Sequence, residues 1–92
     1  MLEREIKSYL VKRCKELGIY HRKFTSPGNV SVPDWILVNN GKVLFLELKA
    51  TGKIPTMAQQ RELGRIAEAG GYSTYASSLE EIEFLLSYLL EI

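Results

Sequence analysis

The chain has 92 residues, of which 46% are hydrophobic and 25% charged, as in an ordinary globular domain, and its net charge is only +1. So small a net charge excludes a general attraction to nucleic acid, so any such binding would depend on local clusters. One cysteine, Cys14, excludes an internal disulfide, and together with the single histidine, His21, it cannot form a structural zinc site. No signal peptide and no apolar segment of about 18 residues is present, so we expect an intracellular protein without a membrane span.

The first predicted element is an amphipathic helix from Leu2 to Leu17, which Gly18 ends. Its apolar positions at helical spacing are Leu2, Ile6, Leu10, Cys14 and Leu17. Cys14 thus falls on the apolar face, and we interpret it as a small buried hydrophobic residue.

Basic residues concentrate in the first part of the chain and none follows Arg65, which indicates a protein with one basic side.

A strand is predicted from Ile19 to Thr25, with side chains that alternate between two faces. This strand is expected to lie beside the hairpin that follows, where Lys23 or His21 is able to approach a phosphate. A solvent-exposed sheet edge explains both residues equally well. The segment 26–29 has the composition of a loop. Tyr20, Arg22 and Phe24 share one face of the strand, and Ile19, His21 and Lys23 share the other.

The central feature of the sequence is a β-hairpin. Two apolar runs, Trp35 to Val38 and Val43 to Leu48, flank Asn40-Gly41, the strongest short hairpin signal. If these two residues form a type I′ turn, the register places Asp34 directly opposite Glu47. The two Cβ atoms would then be roughly 4.5–5.5 Å apart, which is destabilising unless a positive charge lies between the carboxylates.

Lys49 follows Glu47 by two residues and therefore emerges on the same face of the strand. Paired carboxylates bind hard divalent cations such as Mg²⁺, and a lysine beside them is able to position a water or neutralise charge on a phosphate. An exposed ion pair between Glu47 and Lys49 is the simpler interpretation. It is disfavoured because the strand is apolar on both faces, as in a covered central strand, where charges are costly.

A second helix and a fourth strand follow the hairpin. Thr56 and Gln59 form a capping box that opens a helix to about Ala69, which we expect to bury Leu63, Ile66 and Ala67. Gly70-Gly71 ends this helix. The strand Tyr72 to Ala76 is then expected to lie parallel to Val43–Leu48.

The last predicted helix, within residues 78–92, opens with a second capping box at Ser78 and Glu81. It is apolar around most of its circumference, and a chain of this size cannot bury all of it. We therefore expect a homodimer through this helix, with two-fold symmetry as the default. The alternative is a monomer in which this helix has some exposed leucines. The apolar residues of the predicted helix are Ile82, Phe84, Leu85, Leu86, Tyr88, Leu89, Leu90 and Ile92.

The residues at the hairpin resemble a nuclease signature. Val32-Pro33-Asp34 and, after a spacer of 12 residues, Glu47-Leu48-Lys49 are similar to the motif of the PD-(D/E)xK superfamily. The flanking Ser26-Pro27-Gly28 and Phe45–Ala50, with the TxxQ segment that begins at Thr56, resemble the VRR-NUC family of virus-type replication and repair nucleases, in its small stand-alone form.

This resemblance covers the chain from Glu3 to about Ala76. It departs from the family pattern at Ser31, where Gly is frequent, and at Ala58, where a Glu or Pro-Glu pattern is common. Neither residue is expected to do chemistry. The resemblance implies an α/β, restriction-endonuclease-like core, of order α-β-β-β-α-β-α with a mixed sheet flanked by helices, in which residues 1–92 form one nuclease domain.

The family resemblance also implies an activity: a Mg²⁺-dependent endonuclease, with Mn²⁺ able to substitute, acting on DNA inside a bacterial or phage-infected cell. Asp34 and Glu47 would bind the metal together with the Leu48 carbonyl, and Glu3 would join them directly or through water. For Glu3, a favourable interaction with the helix dipole is an equally good explanation. Small stand-alone relatives resemble Holliday-junction resolving enzymes, so we expect a branched substrate and a role in DNA repair.

The resemblance assigns further roles around the metal. Lys49 would position the attacking water or stabilise the transition state, and Gln59 would orient groups near the metal, although capping alone explains a glutamine there. Gln60 would take this role if the alignment is displaced by one residue. Lys23, Arg22, His21 and Lys53 are the candidate DNA-binding residues.

Two other functions are compatible with the sequence. The first is a non-catalytic or partner-dependent DNA-binding module with a nuclease-like fold, which the intact Asp34, Glu47 and Lys49 disfavour. The second is a structural protein that assembles through Phe84 to Ile92. Metal-dependent cleavage that requires Glu47 distinguishes the enzyme from both.

Overall fold

A computed structural model describes residues 1–91 and shows an α/β fold with the predicted order of elements. Ile92, which the sequence assigns to the apolar last helix, lies outside the described residues. The first strand is shorter than the predicted Ile19 to Thr25, since it spans only Tyr20–Lys23. The elements are α1 (Glu3–Leu17), β1 (Tyr20–Lys23), β2 (Trp35–Asn39), β3 (Lys42–Leu48), α2 (Met57–Glu68), β4 (Tyr72–Ala76) and α3 (Leu79–Leu90).

The four strands form one mixed sheet in the order β1-β2-β3-β4. The pairs β1–β2 and β2–β3 are antiparallel, whereas β3–β4 is parallel, with α2 as the connection. This arrangement confirms the expected mixed sheet and the position of the first strand beside the hairpin. β3 is therefore a central strand, and β1 and β4 are the two edges.

The hairpin has the predicted turn and register. Asn40 and Gly41 both have positive φ, 51° and 74°, as a type I′ turn requires. Asn39 pairs with Lys42 and Trp35 pairs with Leu46. Continued by one position, this register brings Asp34 opposite Glu47.

The tip of the hairpin also holds the end of α3. The Asn39 side-chain amide donates a hydrogen bond to the Leu89 carbonyl at 2.9 Å, and the Lys42 ammonium donates one to the Tyr88 carbonyl at 2.7 Å. The last carbonyls of a helix have no partner within the helix, and cations are favourable there. These contacts tie the position of the hairpin to the helical layer.

One face of the sheet carries the core, under α1 and α3. Leu37, Leu44, Leu46 and Leu48 are fully or almost fully buried and alternate with less buried residues along their strands. They pack with one apolar stripe from each of the two helices. The helices contribute Ile6, Leu10, Cys14, Ile82, Leu85, Leu86 and Leu89. The prediction that Cys14 is buried is thus confirmed.

On the opposite face of the sheet, α2 is the one described helix, and it packs near β4. The prediction that α2 buries three residues is wrong: Leu63 and Ile66 are only partly buried and Ala67 is exposed. A single helix at the edge of a small sheet has no second helix to enclose its apolar side. Within residues 1–91, no helix has the length and apolar composition that crossing a bilayer requires.

The last helix is covered on one side only. Phe84 is 70% exposed and Leu90 is 40% exposed, on the side that faces away from the core. At its start the Ser78 hydroxyl accepts the Glu81 N–H, but the Glu81 carboxylate accepts the N–H of Ser77 rather than that of Ser78. The predicted capping box is therefore only half formed.

The hairpin turn gives a direct test of the register. Gly41→Ala is expected to lower the free energy of unfolding by about 1 kcal/mol, because a residue with a Cβ is strained at a φ of 74°. Gly64→Ala is the matched control. Gly64 lies inside α2 and a Cβ there meets nothing within 4 Å, so alanine should stabilise the protein by roughly 0.5–1 kcal/mol. Urea unfolding measures both changes, and equal effects of the two substitutions would contradict the turn assignment.

Candidate functional site

Asp34 is fixed at the entrance to β2 by contacts on both sides. Its backbone carbonyl accepts the Phe24 N–H at 2.8 Å, which continues the pairing with the first strand. Its side-chain Oδ2 accepts the Leu48 N–H at 3.0 Å, so the carboxylate reaches across to the end of β3. The two contacts hold this carboxylate beside Glu47, as the register predicts.

Glu47 is a buried charged residue, only 3% exposed. Its Oε1 atom has no hydrogen-bond partner among the described residues. Burial in the first place, and the negative charge of Asp34 in the second, raise the pKa of Glu47 to about 7. Lys49 lowers this pKa in part, and Glu3 raises it further. A buried oxygen without a partner, next to a second carboxylate, is an arrangement that a cation would stabilise.

Lys49 and Gln59 both contact Glu47. The Lys49 ammonium lies 3.7 Å from Glu47 Oε2, with 16% of its side chain exposed, so it is held at the rim of the site. The Gln59 amide donates a hydrogen bond to the same oxygen at 3.3 Å. Its own Oε1 accepts the Thr56 N–H at 2.9 Å. Gln59 therefore caps α2 and holds Glu47 at the same time, since its amide has a separate group for each role. Gln60 instead donates to the Pro55 carbonyl.

Glu3 lies at the edge of the site. The Met1 carbonyl accepts the Thr51 N–H at 3.0 Å, which attaches the start of α1 to the loop that follows β3. Glu3 and Asp34 line one cleft of about 350 Å³ together with Leu48. Two further residues of this cleft, Arg4 and Lys7, were not predicted from the sequence. The signal that would have found them is their position on α1 within one turn of Glu3.

The carboxylates fit a divalent cation with few protein ligands. Among residues 1–91, no three side chains of the types His, Cys, Asp and Glu are close enough together to hold a metal ion. Asp34 and Glu47 remain as a pair, in which the buried Glu47 Oε1 has no hydrogen-bond partner among the described residues. Mg²⁺ is usually held by one or two carboxylates and completes its coordination with water and substrate phosphate. The residues present are therefore a suitable donor set.

The candidate DNA-binding residues do not form one group. Lys23 lines the cleft beside Asp34 with its ammonium 5.3 Å from the centre of the Trp35 ring. Arg22 lies on the other face of β1, where it stacks on Tyr20 at 4.4 Å. The His21 ring contacts the Ile19 carbonyl through Nδ1, and Lys53 lies in the exposed loop before α2. The site thus has one of these four residues at its rim.

Comparison with known proteins finds similar chains among nucleases. The chain is 41% identical over 69 residues, 74% of each chain, to "Putative nuclease p44" of Acyrthosiphon pisum secondary endosymbiont phage 1. A solved structure described as a VRR_NUC domain matches it with a TM-score of 0.84 and 25% identity, covering 94% of this chain and 95% of that one. A second, described as a VRR_NUC domain protein, has a TM-score of 0.81 and 17% identity over 98% and 88% of the two chains. No family model matches the chain.

The buried carboxylate makes the metal-free protein sensitive to pH. Because the pKa of Glu47 is raised from 4.5 to about 7, the native state retains a proton that the unfolded chain releases. In EDTA, the contribution of this residue to stability is therefore present below about pH 4.5 and is lost as the pH rises through 7. One pKa unit corresponds to about 1.4 kcal/mol, so we expect a loss on the order of 3 kcal/mol between these limits.

Glu47→Gln isolates this contribution, since a glutamine oxygen still accepts the hydrogen bond from Gln59. In EDTA the variant should be more stable than the parent at pH 8 and lose that advantage at pH 5, as measured by urea unfolding. Glu68→Gln, at an exposed position of α2, is the control and should change stability equally at both pH values. A variant whose effect is the same at pH 5 and pH 8 would contradict the raised pKa.

Proposed function

This chain belongs to the VRR-NUC family of nucleases, and on that premise we propose that it hydrolyses DNA phosphodiester bonds with a divalent cation held by Asp34 and Glu47. The observation that carries the proposal is the buried, unpartnered oxygen of Glu47 beside a second carboxylate. We propose Mg²⁺ as the cation, with Mn²⁺ able to substitute, because both are bound through oxygen ligands. The activity is assigned to residues 1–92 as one nuclease domain that acts inside the cell.

In this proposal each residue of the candidate site has a distinct role. When bound, the cation supplies Lewis-acid stabilisation of the negative charge that develops on the phosphate. Lys49, at the solvent-facing rim, donates a hydrogen bond to the attacking water or to a phosphate oxygen as charge accumulates there. Gln59 keeps Glu47 in position, and the Leu48 N–H does the same for Asp34.

The remaining ligands follow from the position of the cleft. The Leu48 carbonyl is the proposed backbone ligand, since this residue lies between Glu47 and Lys49 and lines the cleft. Glu3 is proposed to act through a water, because it does not form a three-residue ligand group with the two carboxylates. Of the candidate DNA contacts, Lys23 is proposed to bind a phosphate at the cleft. Arg22, His21 and Lys53 would contact DNA farther from the scissile bond.

We extend the proposal to a homodimer that cuts branched DNA such as a Holliday junction. Its support is the exposed Phe84, which lines a groove between α3 and the edge strand β4 together with Tyr72 and Tyr75. An exposed aromatic residue next to an unpaired strand edge is a surface that a second copy is able to cover. A two-fold axis through this groove gives two active sites, as paired cuts in a branched structure require.

The catalytic assignment predicts loss of cleavage without loss of binding. Asp34→Asn, Glu47→Gln and Lys49→Ala should each lower the cleavage rate by at least about 100-fold, because each removes a charged group from the site of reaction. The measurement is cleavage of labelled four-way junction, flap, single-stranded and duplex DNA in Mg²⁺, Mn²⁺ or EDTA. Arg61→Ala, at an exposed position on α2, is the control and should retain activity.

The outcomes separate the proposal from its alternatives. Cleavage that continues in EDTA or in the Asp34→Asn variant would overturn the metal-dependent assignment. No cleavage of any substrate by the parent protein, together with intact DNA binding, would favour a binding module or a nuclease that requires a partner. Cleavage of linear duplex at the same rate as the junction would contradict the preference for branched DNA.

The proposed dimer predicts a specific effect at α3. Phe84→Asp should convert the dimer to a monomer, because it places a charge in the apolar interface, and sedimentation velocity measures the change. Met57→Asp is the matched control, since Met57 is 67% exposed and Phe84 is 70% exposed, but Met57 lies on α2. A parent protein that is monomeric at the highest soluble concentration, or two variants that dissociate equally, would exclude this interface.

A further inference from the structure

The exposed side of α1 carries a continuous stripe of positive charge. Arg4 and Lys7 are three residues apart, as are Lys12 and Lys15, so each pair lies side by side on the helix, and Ser8 and Val11 lie between the two pairs. From first to last cation it is about 16 Å long, at 1.5 Å per residue. Each of its four cations is exposed. The stripe consists of Arg4, Lys7, Lys12 and Lys15, with Ser8 and the half-buried Val11 between them.

The acidic residues of α1, Glu3, Glu5 and Glu16, form no ion pair with this stripe among residues 1–91. Glu16 lies one turn after Lys12 and Glu5 two turns before it, so both border the stripe on the flank that carries Arg13. On that flank Arg13 is engaged by Glu83, at 2.8 and 3.1 Å, and by Glu16 at 3.0 Å. None of the four stripe cations takes part in an ion pair among residues 1–91. Arg13 thus engages Glu16, and the Glu5 carboxylate accepts the Leu2 N–H, so the stripe cations remain available.

The stripe leads directly into the candidate active site. Arg4 and Lys7 line the cleft of about 350 Å³ that also contains Asp34. Lys7 lines in addition a neighbouring groove of about 490 Å³, which continues past Lys12 to Lys15. Lys7 is therefore shared by the two depressions, which together lead from Asp34 past the four cations of α1.

We infer that this stripe is a binding track for the phosphate backbone of the DNA that extends from the cleavage site. The inference rests on the proposed function and adds to it the path of the substrate. At 3.4 Å of rise per nucleotide on one strand, the track matches the backbone of roughly five nucleotides. Lysine and arginine in a row neutralise phosphates and release counterions, which gives affinity without sequence preference.

A lipid surface is a poorer match for the same charges. A helix that binds at a membrane interface inserts an apolar face beside its basic residues. The apolar face of α1 is packed in the core, with Ile6, Leu10 and Cys14 fully buried, so only Val11 is left on the basic side.

The test compares two double substitutions that change the net charge equally. Lys12→Gln with Lys15→Gln alters the track away from the catalytic cleft, and Arg61→Gln with Arg65→Gln alters α2, which lies on the other face of the sheet. Fluorescence anisotropy with a labelled four-way junction in EDTA, between 50 and 200 mM salt, measures the affinity of each protein. Circular dichroism confirms that both variants are folded.

The track variant should bind DNA about 10-fold more weakly than the parent. The slope of log K against log salt concentration should be less steep than that of the parent by about 1.8, since each of the two lost phosphate contacts contributes about 0.9. The α2 variant should differ from the parent by less than about 2-fold. Equal losses in the two variants would indicate an effect of total charge and overturn the inference. An unchanged track variant, or one that loses binding to anionic lipid vesicles but not to DNA, would overturn it as well.

Cleavage separates this inference from the proposed function. In single-turnover reactions at saturating protein, the track variant should cleave at the parent rate while requiring about 10-fold more protein for half-saturation. If the parent protein cleaves nothing but the track variant still loses DNA binding, the proposed function fails and the track remains. If cleavage is intact and binding does not depend on the track, the track fails alone.

Discussion

The central constraint on this structure is that two carboxylates oppose each other at the open end of a hairpin. Asp34 and Glu47 carry like charges, and one of them is almost completely buried, so the site is unfavourable when no cation is present. The surrounding fold holds them there. The Leu48 N–H binds Asp34, the Gln59 amide binds Glu47, and the hairpin tip is attached to the end of α3. Functional sites commonly retain unfavourable electrostatics of this kind because the bound state uses them.

The same constraint explains how the elements around the sheet are used. α1 and α3 bury the core on one face, which frees the polar side of α1 to carry cations toward the cleft. α2 contributes little burial, but its first turn delivers Gln59 to the carboxylates while the same side chain caps the helix. The small fold thus gives most elements two roles, one in stability and one at the site.

Much of this arrangement follows from local sequence. The Asn40-Gly41 turn fixes the register, and the register determines which charged side chains meet. What local patterns do not determine are contacts between distant segments. Periodicity alone does not reveal that Asn39 and Lys42 hold the end of α3, that α2 stays half exposed, or that Arg4 and Lys7 share a cleft with Asp34. These depend on how the helices dock on the sheet, and 3.6-residue spacing indicates which face is apolar but not what it meets.

The most direct test of the account is a crystal structure of the protein soaked in Mn²⁺, with anomalous scattering used to locate the metal. The account predicts one strong peak about 2.1 Å from carboxylate oxygens of both Asp34 and Glu47, with Glu47 Oε1 as a ligand and no peak in Asp34→Asn crystals. A metal bound elsewhere with these carboxylates unliganded, or a peak that persists in the Asp34→Asn variant, would contradict it.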